Sequence, residues 1–432
     1  MKARALAPLG KLGARLNESE RWDRTRIERA QFARLSLLVR HAVATVPYYR
    51  DLPKKPWTAM PLLTRRDVQD AGKRLLSRGV PARCGRVSSA QSSGSTGEPV
   101  KIARTELDGL YWQALTLRDH LWHGRDLQAK LCAIRPVRAD RGIAGAGERS
   151  GWGRATDLLG GKGPLATLPL SVDVATQAEW LARHDPEYLI TFPSNALALA
   201  DYLEARGMRL TRLRELRTVG ETLAPALRER ARALWNVPVT DIYSSEEAGI
   251  VALQCPSGSG LYHVMAESVK VEILDEAGAP CPPGAVGRVV VSTLNNFAMP
   301  LFRYEVGDYA EAGPPCPCGR GLPTLARILG RRRNMLVLPD GRRRWPLTGL
   351  YEFRAIAPIR RAQTIQLDGE RLEVRFVADR AITAHEARGL AEAVRRWIGH
   401  PFEVRFTRVD AFPANASGKF EDFVSLVPAG VL

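Results

Sequence analysis

Tyr188-Leu189-Ile190-Thr191-Phe192, followed by Ala196-Leu197-Ala198-Leu199-Ala200-Asp201-Tyr202-Leu203, is a short apolar run and then a helical one. The first reads as a strand and the second as a helix laid over it. The same rhythm recurs between about Leu127 and Val219 and predicts β/α units, hence a mixed or parallel sheet with covering helices. Toward the N-terminus, Ile27, Ala30, Leu35, Leu38, Val39, Ala42, Val43 and Val46 build one helical face that Pro47 ends. Toward the C-terminus, Val269, Val271 and Ile273 alternate with Lys270 and Glu272, and Arg288 to Leu294 follows a Pro/Gly turn as a second strand. The middle of the chain therefore turns β-rich. Three arginines after Gly330 and the turn Pro339-Asp340-Gly341 mark a boundary. Beyond it, Leu372, Val374 and Phe376 alternate as a strand, and Thr383 with Glu386 forms a capping box for a helix bearing Leu390, Ala391, Val394 and Ile398. Phe402 to Phe406 is a further strand. The expected fold class is α/β: a large N-terminal domain over 1–330, with mixed sheets, helices and a β-rich module, and a small mobile α+β domain over 331–432.

The totals agree with two or three compact units, since 432 residues with 45% hydrophobic content exceed one ordinary core. A net charge of +17 would suit a nucleic-acid binder, but the arginines stand one or two at a time among apolar residues. The dense run is Arg331, Arg332 and Arg333, with Arg342, Arg343 and Arg344 after it. That dispersal argues against nucleic acid and suits a cleft holding an anionic nucleotide. The first residues lack the apolar core of a secretory signal, and no stretch reaches the roughly 18 apolar residues of a membrane span. A cytoplasmic protein with no membrane partner is the expectation. Six cysteines are too few for a disulfide framework. Cys84 and Cys132 look isolated and read as core; clustered cysteines read as metal ligands or chemistry.

Five segments carry chemistry. Ser92-Ser93-Gly94-Ser95-Thr96-Gly97-Glu98-Pro99 is a hydroxyl-rich glycine loop after a strand, able to bring backbone N–H groups close to phosphate, or else a plain surface turn. It is not a Walker loop. Asp241-Ile242-Tyr243-Ser244-Ser245-Glu246-Glu247 runs a strand into a polar turn, where Tyr243 can stack on a purine and a carboxylate can hold Mg²⁺; the bland alternative is an acidic helix N-terminus. In Arg303-Tyr304-Glu305-Val306-Gly307-Asp308 the last residue can accept ribose hydroxyls, or the segment is an ordinary β-turn. Gly330 to Asn334 lies at the boundary, and Asn415 to Phe420 presents Lys419 on a Ser-Gly loop.

In this order the segments resemble the adenylate-forming superfamily of acyl-CoA synthetases, adenylation domains and luciferases, over nearly the whole chain. The phenylacetate-CoA ligase branch is marked by Gln31 to Arg50, ending Val46-Pro47-Tyr48-Tyr49-Arg50, by the Ser-Ser-Gly-Ser-Thr-Gly loop, and by Asn296 to Tyr304. The resemblance implies ATP, Mg²⁺ and coenzyme A as cofactors and co-substrates. It assigns Ser92, Ser93, Gly94, Ser95, Thr96 and Gly97 to the β- and γ-phosphates. Glu221 and Tyr243 would border the adenine, Asp308 would hold the ribose, Glu247 would ligate Mg²⁺, Arg331 would assist near the hinge, and Lys419 would reach the α-phosphate. Two departures stand out: Val100, not lysine, follows Pro99, and Arg333 and Asn334 occupy the place of the usual hinge acid.

Cys255, His263, Cys316 and Cys318 form a separate constellation, with Cys316-Pro317-Cys318-Gly319 shaped like a metal knuckle. Three thiolates and an imidazole suit structural Zn²⁺, while the non-standard spacing suits two unrelated thiol pairs equally. The resemblance favours zinc, since a subset of phenylacetate-CoA-ligase-like proteins binds it with such residues. Cys281 is the runner-up ligand. The expected activity is ATP-dependent conversion of an aryl or arylacetic acid to an acyl-adenylate and then to a coenzyme A thioester. A carrier-protein thiol or an amine is the alternative acceptor, a zinc-stabilised basic binding protein the alternative of another class, and a homodimer an expectation from relatives.

Overall fold

Strands of two kinds follow from the two patterns of side chains. The runs 131–135, 188–191 and 215–219 are buried on both faces and pair in parallel, as strands do where crossover helices cover a sheet. The run 371–378 instead alternates, pairing antiparallel with 359–366 and parallel with 403–408. The structure, a computed structural model, describes residues 2–50, 57, 60–91, 100–137, 145–331, 334–344, 353, 355–412 and 420–427.

In chain order the first strands are β1 (Val87–Gln91), β2 (Lys101–Thr105), β3 (Leu131–Arg135), β4 (Gly147–Ser150), β5 (Pro164–Pro169), β6 (Tyr188–Thr191) and β7 (Glu215–Val219). There follow β8 (Val239–Ser245), β9 (Gly249–Gln254), β10 (Tyr262–Val264), β11 (Val269–Leu274), β12 (Val286–Thr293), β13 (Tyr304–Ala312) and β14 (Thr324–Arg331). β1 and β2 form a hairpin, and β3 to β14 form one twelve-stranded sheet in the order β11-β12-β13-β14-β10-β9-β8-β7-β6-β3-β5-β4. From β5 to β8 the neighbours are parallel; from β8 to β11 they are antiparallel. The α/β expectation and the β-rich middle are both met.

Helices Val174–His184, Pro193–Ala205 and Pro225–Trp235 bury Ala178, Leu181, Leu199, Leu203 and Leu227 against one face of the parallel half. Helix Glu106–Trp122, opened by a reciprocal capping box between Thr105 and Asp108, buries Ala114 and Leu115 against Leu9, Leu16, Ile250 and Leu253. The N-terminal helix Arg24–Thr45 starts at the Asp23 cap and stops before Pro47, as its apolar stripe predicted. Just past it, Tyr49 packs on Phe302 at 5.0 Å and donates its hydroxyl to the Pro300 carbonyl at 2.9 Å. The two branch-marking segments, 250 residues apart in the chain, are thus halves of one core with Leu38, Leu75 and Tyr304. Emptying such a site, as in Phe302→Ala, costs about 3–5 kcal/mol.

The long sheet ends at Arg331. A separate four-stranded sheet of 403–408, 371–378, 359–366 and 423–425 carries helix Ala384–Ile398 on a core of Phe353, Phe376, Leu390, Val394 and Phe402. Thr383 and Glu386 cap that helix reciprocally and Gly399 closes it with a left-handed φ of 62°. Cys84 and Cys132 are buried core residues, at 1% and 0% exposure.

Candidate active site

Glu221, Tyr243, Glu247, Asp308 and Arg331 all line one cleft of about 2460 Å³, well above the roughly 300–1,000 Å³ of a pocket for one small ligand. The carboxyl ends of β7 and β8 and the facing ends of β13 and β14 bring them there, as expected of ligand sites on open α/β sheets. Glu247 sits in the tight turn between antiparallel β8 and β9, so the segment is a hairpin and not a helix N-terminus. Likewise Asp308 lies within β13, not in a β-turn, directly across from Arg331 on β14.

Tyr243 donates its hydroxyl to Asp308 Oδ2 at 2.8 Å, and Arg331 Nε stands 3.6 Å from Asp308 Oδ1. Burial, with Asp308 adding to it, pushes the Tyr243 phenol well above its ordinary range, so it stays a donor. Glu247 is 9% exposed, and burial raises its carboxyl while Arg65, 3.9 Å away, and Arg331 pull it back. A carboxylate held in a dry cleft beside a cation is a fitting ligand for a hard ion such as Mg²⁺.

Glu221 has a busier part than bordering a base. Its carboxylate caps helix Pro193–Ala205 by accepting from the Ser194 N–H at 2.9 Å and hydroxyl at 3.0 Å. It also accepts the Phe420 N–H at 2.7 Å. Residue 420 therefore stands at the wall of the cleft, and the next residue back is Lys419, which lies outside the described residues. Asn334 makes a second tie, accepting from the Arg331 N–H at 3.0 Å and donating to the Phe423 carbonyl at 2.6 Å. A side chain at Gly330, φ +91°, would come within 2.8 Å of Thr222 Oγ1.

Ser92, Ser93, Gly94, Ser95, Thr96 and Gly97 also lie outside the described residues. The strands on either side do not: Gln91 pairs with Lys101, and Ser88, Ser89, Ala90 and Arg104 line the cleft. Sequence reasoning missed Arg65 and Arg104, which pair with Glu247 and Glu246, and the bridging role of Asn334. The capping box Thr64-Arg65-Arg66-Asp67 was a readable signal that a helix N-terminus presents Arg65.

Cys255, His263, Cys316 and Cys318 come together away from this cleft chemistry, their ligand atoms all within 4.8 Å of one another. Cys255 Sγ lies 3.6 Å from Cys316 Sγ, and Cys318 Sγ 3.2 Å from His263 Nε2. Bonds of about 2.3 Å in a tetrahedron put sulfurs a little under 4 Å apart, so the donor set fits Zn²⁺. Burial pushes the His263 imidazole down to about 4, leaving it neutral as a ligand must be. Cys281 stands apart, near the Val286 carbonyl at 3.7 Å, and is not in the group. The cluster joins β9, β10 and the loop before β14. Beyond it, Arg320 stacks on Trp122 at 4.3 Å and pairs with Glu20 at 3.2 Å, tying this corner to the N-terminal helices.

A family model described as "AMP-binding enzyme" matches residues 92–299. Phenylacetate-coenzyme A ligase of Thermus thermophilus is 29% identical over 361 residues, 74% of each chain. The enzyme of that name from Aromatoleum evansii is 28% identical, covering 75% of this chain and 74% of its own. Among solved structures, 2-hydroxyisobutyryl-CoA ligase in its postadenylation state superposes with a TM-score of 0.74 at 16% identity over 95% of this chain and 91% of its own, a likeness of fold. The sheet, the cleft at its carboxyl ends and the matching model together define an AMP-binding, adenylate-forming enzyme. The relatives it matches at 28–29% identity over about three quarters of its length are phenylacetate-coenzyme A ligases. Among the described residues no helix is long and apolar enough to cross a membrane.

Proposed function

We propose that this protein activates a carboxylic acid with ATP and passes the acyl group to coenzyme A, and that the acid is an aryl or arylacetic one. The observation that carries the reading is convergence: Tyr243, Glu247, Asp308, Arg331 and the residue after Lys419 meet at one cleft from three strands, the turn after one of them, and the C-terminal block. The relatives named for phenylacetate support the aryl class, as do Trp112, Trp152 and Phe192 on the cleft wall.

A carboxylate resists nucleophiles because it is already anionic. Attack of its oxygen on the α-phosphorus breaks the bond to the bridging oxygen, releases pyrophosphate and leaves a mixed anhydride with a far better leaving group. The thiolate of coenzyme A then displaces AMP. Asp308, fixed by the Tyr243 hydroxyl, offers its carboxylate to the ribose, and Arg331 balances its charge. The Ser92 to Gly97 loop would hold the outer phosphates, Glu221 and Tyr243 the adenine side, and Lys419 the charge that develops on the α-phosphate. Mg²⁺ on Glu247 would supply positive charge to the phosphate oxygens.

The 1–330 and 331–432 blocks work as body and lid in this reading. Glu221 to Phe420 is the tie of the adenylating arrangement between body and lid, and it must break for the lid to turn and admit the thiol. Zn²⁺ held by Cys255, His263, Cys316 and Cys318 would be structural, since all four donors are protein groups and none is left open. Trapping tests the activity: AMP and an acyl thioester should form together, one for one, only with ATP, acid and coenzyme A all present. ADP as product, or no thioester with any acid, would refute it.

A further inference from the structure

One face of helix Glu106–Trp122 stands opposite one face of the parallel strands below the cleft. Trp112, Thr116 and His120, four residues apart, line the cleft from the helix. Leu131, Ala133, Leu165, Ile190 and Val219 line it from the sheet, and the Trp152 ring packs 5.3 Å from that of His120. These walls are apolar. Two polar side chains also line the cleft although almost wholly buried: His120 at 4% and Arg217 at 3% exposure.

Neither has its hydrogen-bonding capacity filled. Arg217 Nη2 donates to Asp119 Oδ2 at 2.7 Å, while its buried Nε has no partner among the described residues. His120 Nδ1 faces Arg125 Nη1 at 3.4 Å; an arginine only donates, so Nδ1 accepts and the ring proton sits on Nε2. Nε2 too has no partner among the described residues. Burial, then Arg217 and Arg125, hold the His120 imidazole well below its ordinary range and therefore neutral. The ionic cluster behind is already balanced: Asp119 and Glu215 against Arg125 and Arg217.

Resting on the reading that this cleft binds the acid, we infer that the wall formed by His120 beside Arg217 hydrogen-bonds an uncharged oxygen at the end of the acid remote from its carboxylate. The substrate class is thus an aryl acid with a hydroxyl, keto or similar neutral oxygen substituent distal to the reacting group. A bare ring would leave the His120 Nε2–H at the cleft wall without an acceptor. A second carboxylate would add net charge to a buried cluster that has none to spare.

The test is pyrophosphate exchange on the full chain with phenylacetate, 4-hydroxyphenylacetate and 4-carboxyphenylacetate. The hydroxy acid is expected to exceed phenylacetate in kcat/KM by about 10- to 100-fold, with the dicarboxylate below both. His120→Leu should bring the hydroxy-to-plain ratio down toward about one, while His120→Gln, which keeps a donor, should retain most of it. Phenylacetate equal to or better than the hydroxy acid overturns the inference even if the leucine variant fails to fold, and leaves the activation reading intact. Exchange with none of a broad panel of acids overturns both.

Discussion

Charge that develops on an α-phosphate during adenylation has to meet a cation fixed in place beforehand. The account gives that part to Lys419, next to a residue that Glu221 holds by its backbone N–H at 2.7 Å. Lys419→Ala is expected to lower adenylation by roughly 10²- to 10³-fold with the melting temperature unchanged. Single-turnover adenylate formation checks it, and an unchanged rate would remove the lysine from the chemistry. Most of these residues were legible in the sequence, because hydroxyl, carboxylate and lysine groups in Gly- and Ser-rich turns advertise themselves. Their partners were not. Tyr243 and Asp308 are 65 residues apart, and only the order of the sheet brings hydroxyl to carboxylate. The unfilled donors of His120 and Arg217 were hidden for the same reason: one comes from a helix and the other from β7.

Among the elements, the corner built by β9, β10 and the loop before β14 carries a small cluster of its own, with Cys255, Leu261 and Cys316 as its buried residues. Metal would add to its stability. Purified protein is expected to carry about one zinc per chain by atomic emission, and Cys255→Ser or Cys318→Ser to lose it with a stability loss of several kcal/mol, of the order of 10 at most. Cys281→Ser should change neither. β8 holds a second testable feature. Asp241 accepts from Thr218 at 2.6 Å and from Tyr262 at 3.0 Å, and burial, against those bonds and Arg228, raises its carboxyl to about 6. A carboxyl with a raised folded pKa binds its proton more tightly when folded. The stability it contributes is present below the unfolded value near 3.8 and is lost as pH rises through about 6. Asp241→Asn should therefore gain in melting temperature over the parent as pH is raised from about 4 to about 7, and a pH-independent difference by calorimetry would contradict this. Local signals made the elements legible: the Thr383–Glu386 box, Pro47 and the alternation of 269–273 each named a structure that is there. Pairing of β10 with β14, which closes the metal corner, is non-local and left no mark in either segment.

For the whole molecule, the proposal is that the Glu221–Phe420 tie between body and C-terminal block holds during adenylation and opens for thiol transfer. Glu221→Ala removes that tie and part of a helix cap. It is expected to slow adenylation about 10-fold or more, while transfer from supplied adenylate to coenzyme A slows less. Equal slowing of both half-reactions would mean that Glu221 serves the nucleotide and not the lid. The five-segment order suggested this division of labour; what it lacked was the contact made where Arg333 and Asn334 replace the usual hinge acid, the bond of Asn334 to the backbone at Phe423. The central claim is that an acid and ATP alone form an enzyme-bound adenylate reversibly. ATP–pyrophosphate exchange without thiol measures that directly. The account predicts exchange that depends strictly on a carboxylic acid, best with an aryl acid, and no exchange without one. Exchange that ignores the acid, or none with any acid on folded protein, would contradict it.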